Sequence, residues 1–212
     1  MSIPAYVFLV LLILSGCTSV KIVPDPVPSG VINQKDNSIT VAKNSVIITA
    51  RIADPEMVNY NIEGMVASFQ VEIQNLRENE IAFDPESFLL VDSTSRQYYS
   101  LTPDKIRQMM AKDTYYLLPY PYVGFYYLED YEHASFKNAT NSNLPYFYEL
   151  YPQEIYTKSF PTGAVIPKAK VSGLVYFHVD LGSLDSFKLL VYRKGASKSG
   201  DPDFSIPFRV IK

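Results

Sequence analysis

Ala67-Ser68-Phe69-Gln70-Val71-Glu72-Ile73-Gln74 alternates apolar and polar residues without a break. Successive side chains of a strand point to opposite faces, so Ala67, Phe69, Val71 and Ile73 share one face. Ser68, Gln70, Glu72 and Gln74 share the other. This is a strand with one side in a core. Upstream, Val46, Ile48, Ala50 and Ile52 repeat the pattern. Downstream, residues 75–80 are polar and turn-forming, Ile81 and Phe83 begin a third strand, and Asp84-Pro85 breaks it. Residues 88–91 are continuously apolar, as expected of a strand covered on both sides. Asp92-Ser93-Thr94-Ser95 then turns the chain toward Gln97-Tyr98-Tyr99.

The two-residue period returns near the end of the chain. It runs through Val171, Gly173, Val175, Phe177, Val179 and Leu181, then Phe187, Leu189 and Val191, and last Phe204, Ile206, Phe208 and Val210. Pro207 lies in that final run and predicts an edge there, because proline has no amide hydrogen for a ladder. Short strands closed by turns at regular spacing predict an all-β, antiparallel β-sandwich over residues 38–212.

Composition agrees. The 212 residues include 17 Tyr and 12 Phe, both strand formers, and 15 Pro, with no Trp and only 9 Gly. A chain of this length buries roughly 70% of its unfolded surface, which needs neither a disulfide nor a structural metal. Cys17 is the sole cysteine, so no intrachain disulfide forms. The net charge of −3 and the lack of a Lys/Arg cluster argue against a nucleic-acid partner.

The strands are interrupted. Thr102-Pro103-Asp104 is a helix start, with a capping hydroxyl, proline at the first position and an acid at the positive end of the dipole. Ile106, Met109 and Met110 follow at helical spacing, and the stretch from Tyr115 to Pro121 ends the helix. Tyrosines then crowd the text, among them Tyr120, Tyr122, Tyr126, Tyr127, Tyr131, Tyr146, Tyr148, Tyr151 and Tyr156. Residues at about 103–156 are thus read as a Tyr-rich, partly helical insertion. Tyrosine joins a flat apolar ring to a polar tip, which suits either a contact surface or packing of the insertion onto the sandwich. Tyr120, Tyr122, Tyr126 and Tyr127 are the candidate interaction surface.

Residues 3–14 are apolar except for Pro4, too short a run to span a bilayer and the right length for a signal peptide. The run ends in Leu14-Ser15-Gly16-Cys17, which resembles the lipobox of bacterial lipoproteins. The resemblance implies cleavage after residue 16, acyl chains on Cys17 and a membrane anchor. Two or three chains hold a protein where one holds it only marginally. Thr18 in place of an aspartate resembles the signal for transfer to the outer membrane, facing the periplasm. The front of the signal departs from the pattern, since Met1-Ser2-Ile3 carries no Lys or Arg.

Residues 17–37, with Val23-Pro24-Asp25-Pro26-Val27-Pro28, read as a Pro-rich tether. Some 20 extended residues would lift the domain roughly 60 Å from the lipid. The domain itself resembles the immunoglobulin-like lipoprotein domains of unknown function found in bacterial envelopes. The likeness rests on residues 69–75 and 83–92, on Ile166-Pro167 and on Gly173-Leu174-Val175-Tyr176-Phe177. It implies a fold and brings no catalytic marker.

Chemistry is sparse. His178 sits at an outward position of its strand and reads as a surface histidine, while Glu129 and His133 make too small a set for a metal site. There is no G-x-S-x-G elbow and no S-x-x-K pair. Asn138-Ala139-Thr140 matches a sequon by chance in a bacterial protein. The expectation is a non-enzymatic envelope lipoprotein that contacts another envelope protein, without cofactor or metal. The alternatives are a periplasmic module that binds a small ligand or glycan through the insertion and, last, a hydrolase with a dispersed site.

Overall fold

In the computed structural model the described residues are 20–53, 66–113, 116–120, 124–128 and 154–212. The chain begins with β1 (Lys21–Pro24), β2 (Gly30–Asn33), β3 (Ser38–Lys43), β4 (Val46–Ala53) and β5 (Val66–Asn75). After the short β6 (Ile81–Phe83) come β7 (Phe88–Asp92), β8 (Gln97–Leu101) and helix α1 (Pro103–Asp113). The insertion continues with β9 (Tyr116–Tyr120), β10 (Gly124–Leu128) and the single turn α2 (Glu154–Thr157). β11 (Gly163–Val165), β12 (Lys170–His178), β13 (Ser186–Val191) and β14 (Phe204–Ile211) complete the order.

Ten strands form one antiparallel ladder in the order β1-β14-β13-β7-β8-β12-β5-β4-β3-β2. The ladder folds back on itself at β8 and β12, which share only the pairs Tyr176–Leu101 and Phe177–Ser100. Phe69 on β5 shows the result. Its ring lies 6.0 Å from Phe187 on β13 and 5.6 Å from Phe208 on β14, across the layers, and 5.6 Å from Phe177 beside it. The architecture is the antiparallel β-sandwich that the alternation predicts. Ala67, Phe69, Val71 and Ile73 all face its core, as do Val46, Ile48 and Ala50.

Local chemistry sets the register. β3 and β4 are joined by Asn44 and Ser45, both at positive φ (52° and 58°), the backbone twist that a two-residue hairpin demands. Asn75 is fully buried at the end of β5. Its Nδ2 donates to the carbonyls of Asn79 and Val165, both at 2.9 Å, tying the following turn to β11. β6 stops where expected: the side chain of Asp84 and that of Ser87 cap the 3-10 turn Pro85–Ser87 reciprocally.

Two expectations are corrected. Residues 21–33 are not a free tether. β1 pairs with β14 in one layer, and β2 pairs with β3 in the other. The chain therefore crosses between layers on the side opposite the β8–β12 seam, with Ile22, Val27 and Ile32 packed against the core. Proline allows this because only the side that needs its hydrogen is affected. Pro24 pairs with Phe208, whereas the amide of Asp25 donates to the carbonyl of Pro207 at 2.9 Å. Donor positions alternate along an antiparallel strand, so the hydrogen that Pro24 lacks would point away from β14, off the sheet.

β14 is not an edge either, since β1 covers it. Pro207 presents its carbonyl to β1, and its nitrogen lies on that same side. Opposite Pro207 the Asp25 amide makes its bond and the reciprocal one is missing, and the β1 ladder ends one residue earlier, at Pro24–Phe208.

Candidate functional site

Three places merit the test of geometry: the entry of the chain from Cys17, the Tyr-rich insertion, and the one carboxylate whose acidity is strongly shifted.

Cys17 lies outside the described residues, which begin at Val20. Four peptide steps after Cys17 comes Lys21, the first residue of β1, paired with Ile211. Asp25, just past β1, is fixed twice, by its backbone bond to Pro207 and by an ion pair with Arg209 at 3.2 Å. Cys17 thus lies four residues before the start of an ordered strand.

The insertion leaves the sheet where the capping pattern says it should. The amide of Lys105 donates to the Thr102 hydroxyl at 3.3 Å, and the amide of Ile106 donates to the Thr102 carbonyl at 3.1 Å. Helix α1 then lies on the outer face of the β5–β12 layer. Ile106 and Ile155 join Val66 and Tyr176 in a second, smaller core, flanked by Leu101, Met109 and Leu174. Tyr176 does face away from the main core, as its place in the alternation requires, yet it is only 1% exposed because the insertion covers it. The hydroxyl of Tyr156 donates to Asp104 at 2.9 Å and joins α2 to the start of α1.

The insertion also holds a hairpin that the sequence reading missed. β9 pairs with β10, setting Tyr120 opposite Gly124, Tyr126 opposite Leu118 and Tyr127 opposite Leu117. Tyr122 lies outside the described residues, as do Glu129, His133 and Asn138. The signal available was the β-propensity of tyrosine and phenylalanine on both sides of Pro121-Tyr122-Val123. Pro119 and Pro121 masked it by reading as breakers.

After α2 the chain returns along β12. The amide of Phe160 donates to the Leu174 carbonyl at 2.8 Å, and the Leu174 amide donates to the Lys158 carbonyl at 2.7 Å. This close passage explains Gly173. A β-carbon there would stand 2.4 Å from the α-carbon of Phe160, a backbone atom that cannot step aside.

Asp92 is the shifted carboxylate. Burial would raise its pKa, but hydrogen bonds overcome that and hold it well below the usual carboxylate range. The Thr94 hydroxyl donates at 2.7 Å, the amides of Thr94 and Arg96 at 2.8 and 2.9 Å, Arg96 Nε at 3.0 Å and the Tyr98 hydroxyl at 3.1 Å. All these donors belong to its own β7–β8 hairpin. Shifted carboxylates often mark active sites, yet this one is fully occupied in closing a turn. The Tyr98 hydroxyl is pushed up in response, by burial and by Asp92.

His178 is exposed at the end of β12, in keeping with its outward place in the alternation. A cleft bordered by Lys43, Asn44, Arg77, Arg193 and Asp203 holds about 10 Å³, room for about one water. No described helix is long and apolar enough to cross a membrane.

No protein-family model matches the chain, and no curated protein sequence does. Three solved structures resemble it distantly. A candidate lipoprotein of Bacillus subtilis, ycdA, is 12% identical with a TM-score of 0.37, over 88% of this chain; the chain spans only 39% of ycdA. The yjhA protein of the same organism is 10% identical with a TM-score of 0.41, over 79% of this chain and 93% of its own. A secreted protein of Mycobacterium tuberculosis, MPT63, is 10% identical with a TM-score of 0.33, over 77% and 91%. Likenesses this distant carry no argument about what the chain does.

Proposed function

We propose that this chain is a lipid-anchored protein of the bacterial cell envelope, held in the outer membrane and facing the periplasm. Its β-sandwich serves a non-enzymatic role there, in structure or in contact with another envelope protein. The observation that carries the reading is the motif Leu14-Ser15-Gly16-Cys17 at the end of a short apolar run. The occupation of Asp92 by its own hairpin favours a structural role over catalysis. Tyr120, Tyr122, Tyr126 and Tyr127 remain the proposed contact surface.

Metabolic labelling with a tagged fatty acid tests the anchor. Wild-type protein takes up the label and sediments with membranes, and Cys17→Ala does neither. Label in the alanine variant, or none in the wild type, overturns the reading. A photocrosslinking residue at position 122 or 126 is expected to trap a defined envelope protein. Capture from exposed Ile166 instead would move the contact surface to another part of the domain.

A further inference from the structure

The position of β1 fixes which end of the sandwich meets the lipid. From Cys17 to Lys21 there are four peptide steps, and an extended chain spans at most about 3.6 Å per residue. The start of β1 is therefore held within roughly 14 Å of the acylated cysteine, against the roughly 60 Å that a free tether would allow. A sandwich is broader than that, with its two sheets about 10 Å apart and five strands to a layer at about 4.8 Å spacing. It has no room to tumble clear of the surface.

Antiparallel pairing sets the other groups at the same end. Lys21 lies opposite Ile211, so the carboxyl end of β14 and Lys212 are there. Ser186 pairs with Arg209, which brings the start of β13 and the preceding 3-10 turn Leu181–Ser183 to the same end. Gly182 is close enough that a β-carbon on it would lie 3.7 Å from Val20. The surface chemistry is mixed. Val20 and Ile211 are exposed at 49% and 47%, large for apolar side chains, and Lys21 and Lys212 flank them. Asp180 caps the 3-10 turn, and Asp185 accepts a hydrogen bond from Lys212 Nζ at 3.1 Å, so that this acid and this lysine counter each other and Lys21 is left beside the apolar pair. Apolar side chains beside lysines, whose stems lie along lipid while their heads reach phosphate, suit a headgroup layer.

We infer that the β1–β14 end, with Val20, Lys21, Ile211 and Lys212, rests on phospholipid headgroups. The β13–β14 hairpin then points into the periplasm. This orientation depends on the acylation of Cys17 proposed above.

The full-length acylated protein in vesicles of phosphatidylethanolamine and phosphatidylglycerol, with a nitroxide-bearing lipid as quencher, tests it. A fluorophore is attached through Ile211→Cys or, at the far hairpin, Ala196→Cys; the acylated sulfur of Cys17 does not react. Quenching at position 211 should exceed that at 196 several-fold. A flexible spacer of about 20 residues inserted between Ser19 and Val20 should remove the difference. Equal quenching at both positions, or quenching at 211 that the spacer leaves unchanged, overturns the orientation while acylation still stands. Fatty-acid incorporation is measured in each sample, and its absence removes the anchor and the orientation together.

Discussion

Residues 21–33 and helix α1 both cover the sandwich, by opposite means. The N-terminal segment gives backbone hydrogen bonds to both layers, through β1 on β14 and β2 on β3. Helix α1 gives side chains to the outside of one layer, chiefly Ile106 against Val66 and Tyr176. Backbone pairing closes the fold, whereas side-chain packing adds a second, local core to a fold already closed. Damage to the first should weaken the whole domain, and damage to the second should stay near the insertion.

The largest loss is expected from Gly173→Ala, which strikes the main core where Phe160 passes over β12. The new carbon meets the backbone of Phe160, so the cost should lie near the top of the overpacking range, about 3 kcal/mol. Urea unfolding should show it as a lower midpoint. A domain begun at Gly30, lacking β1, loses the burial of Pro24 and partial burial of Ile22 and Val27. At about 1.5–3 kcal/mol for each fully buried side chain, the global loss is roughly 2–3 kcal/mol. A free tether would lose nothing, so an unchanged midpoint would break the comparison.

Ile106→Ala should cost about 2 kcal/mol. Hydrogen exchange should speed up at α1 and around Tyr176 while the β3–β4 amides keep their protection. Uniform loss of protection would mean that the insertion, too, is integral to closing the fold.

Asp92 bears on stability at acid pH. Its folded pKa is depressed, so its contribution is complete above the unfolded value of about 3.9 and is lost as pH falls through the folded value. Asp92→Asn should flatten the dependence of the unfolding midpoint on pH below about 4. An unchanged acid limb in the variant would assign that dependence to other carboxylates.

The inner face of the sandwich was legible because alternation carries it: Phe69, Val71 and Ile73 follow a period of two without exception. Thr102-Pro103-Asp104 was legible because a helix cap is a local matter. The segment of residues 21–33 was misread for a physical reason. Alternate prolines look incompatible with a sheet, but an edge strand needs hydrogens on one side only, and Pro24 lacks its hydrogen on the other. β9 and β10 were missed because Pro119 and Pro121 read as breakers, although a two-stranded hairpin leaves one side of each strand free. Of the candidate site, the sequence showed the motif at Cys17 and the tyrosines. It did not show the close passage of Phe160 over Gly173, nor that the donors to Asp92 converge on one carboxylate. Those depend on long-range contact and on side-chain direction.

The central claim is that the chain enters the sheet almost at once after Cys17. Amide hydrogen exchange of β1 in the purified protein tests it most directly. The amides of Val23 and Asp25 point to β14 and should exchange slowly, together with the sheet, while that of Ile22 points outward and exchanges fast. Fast exchange at all three, at the rate of an unstructured chain, would contradict the account and return residues 21–25 to a free tether.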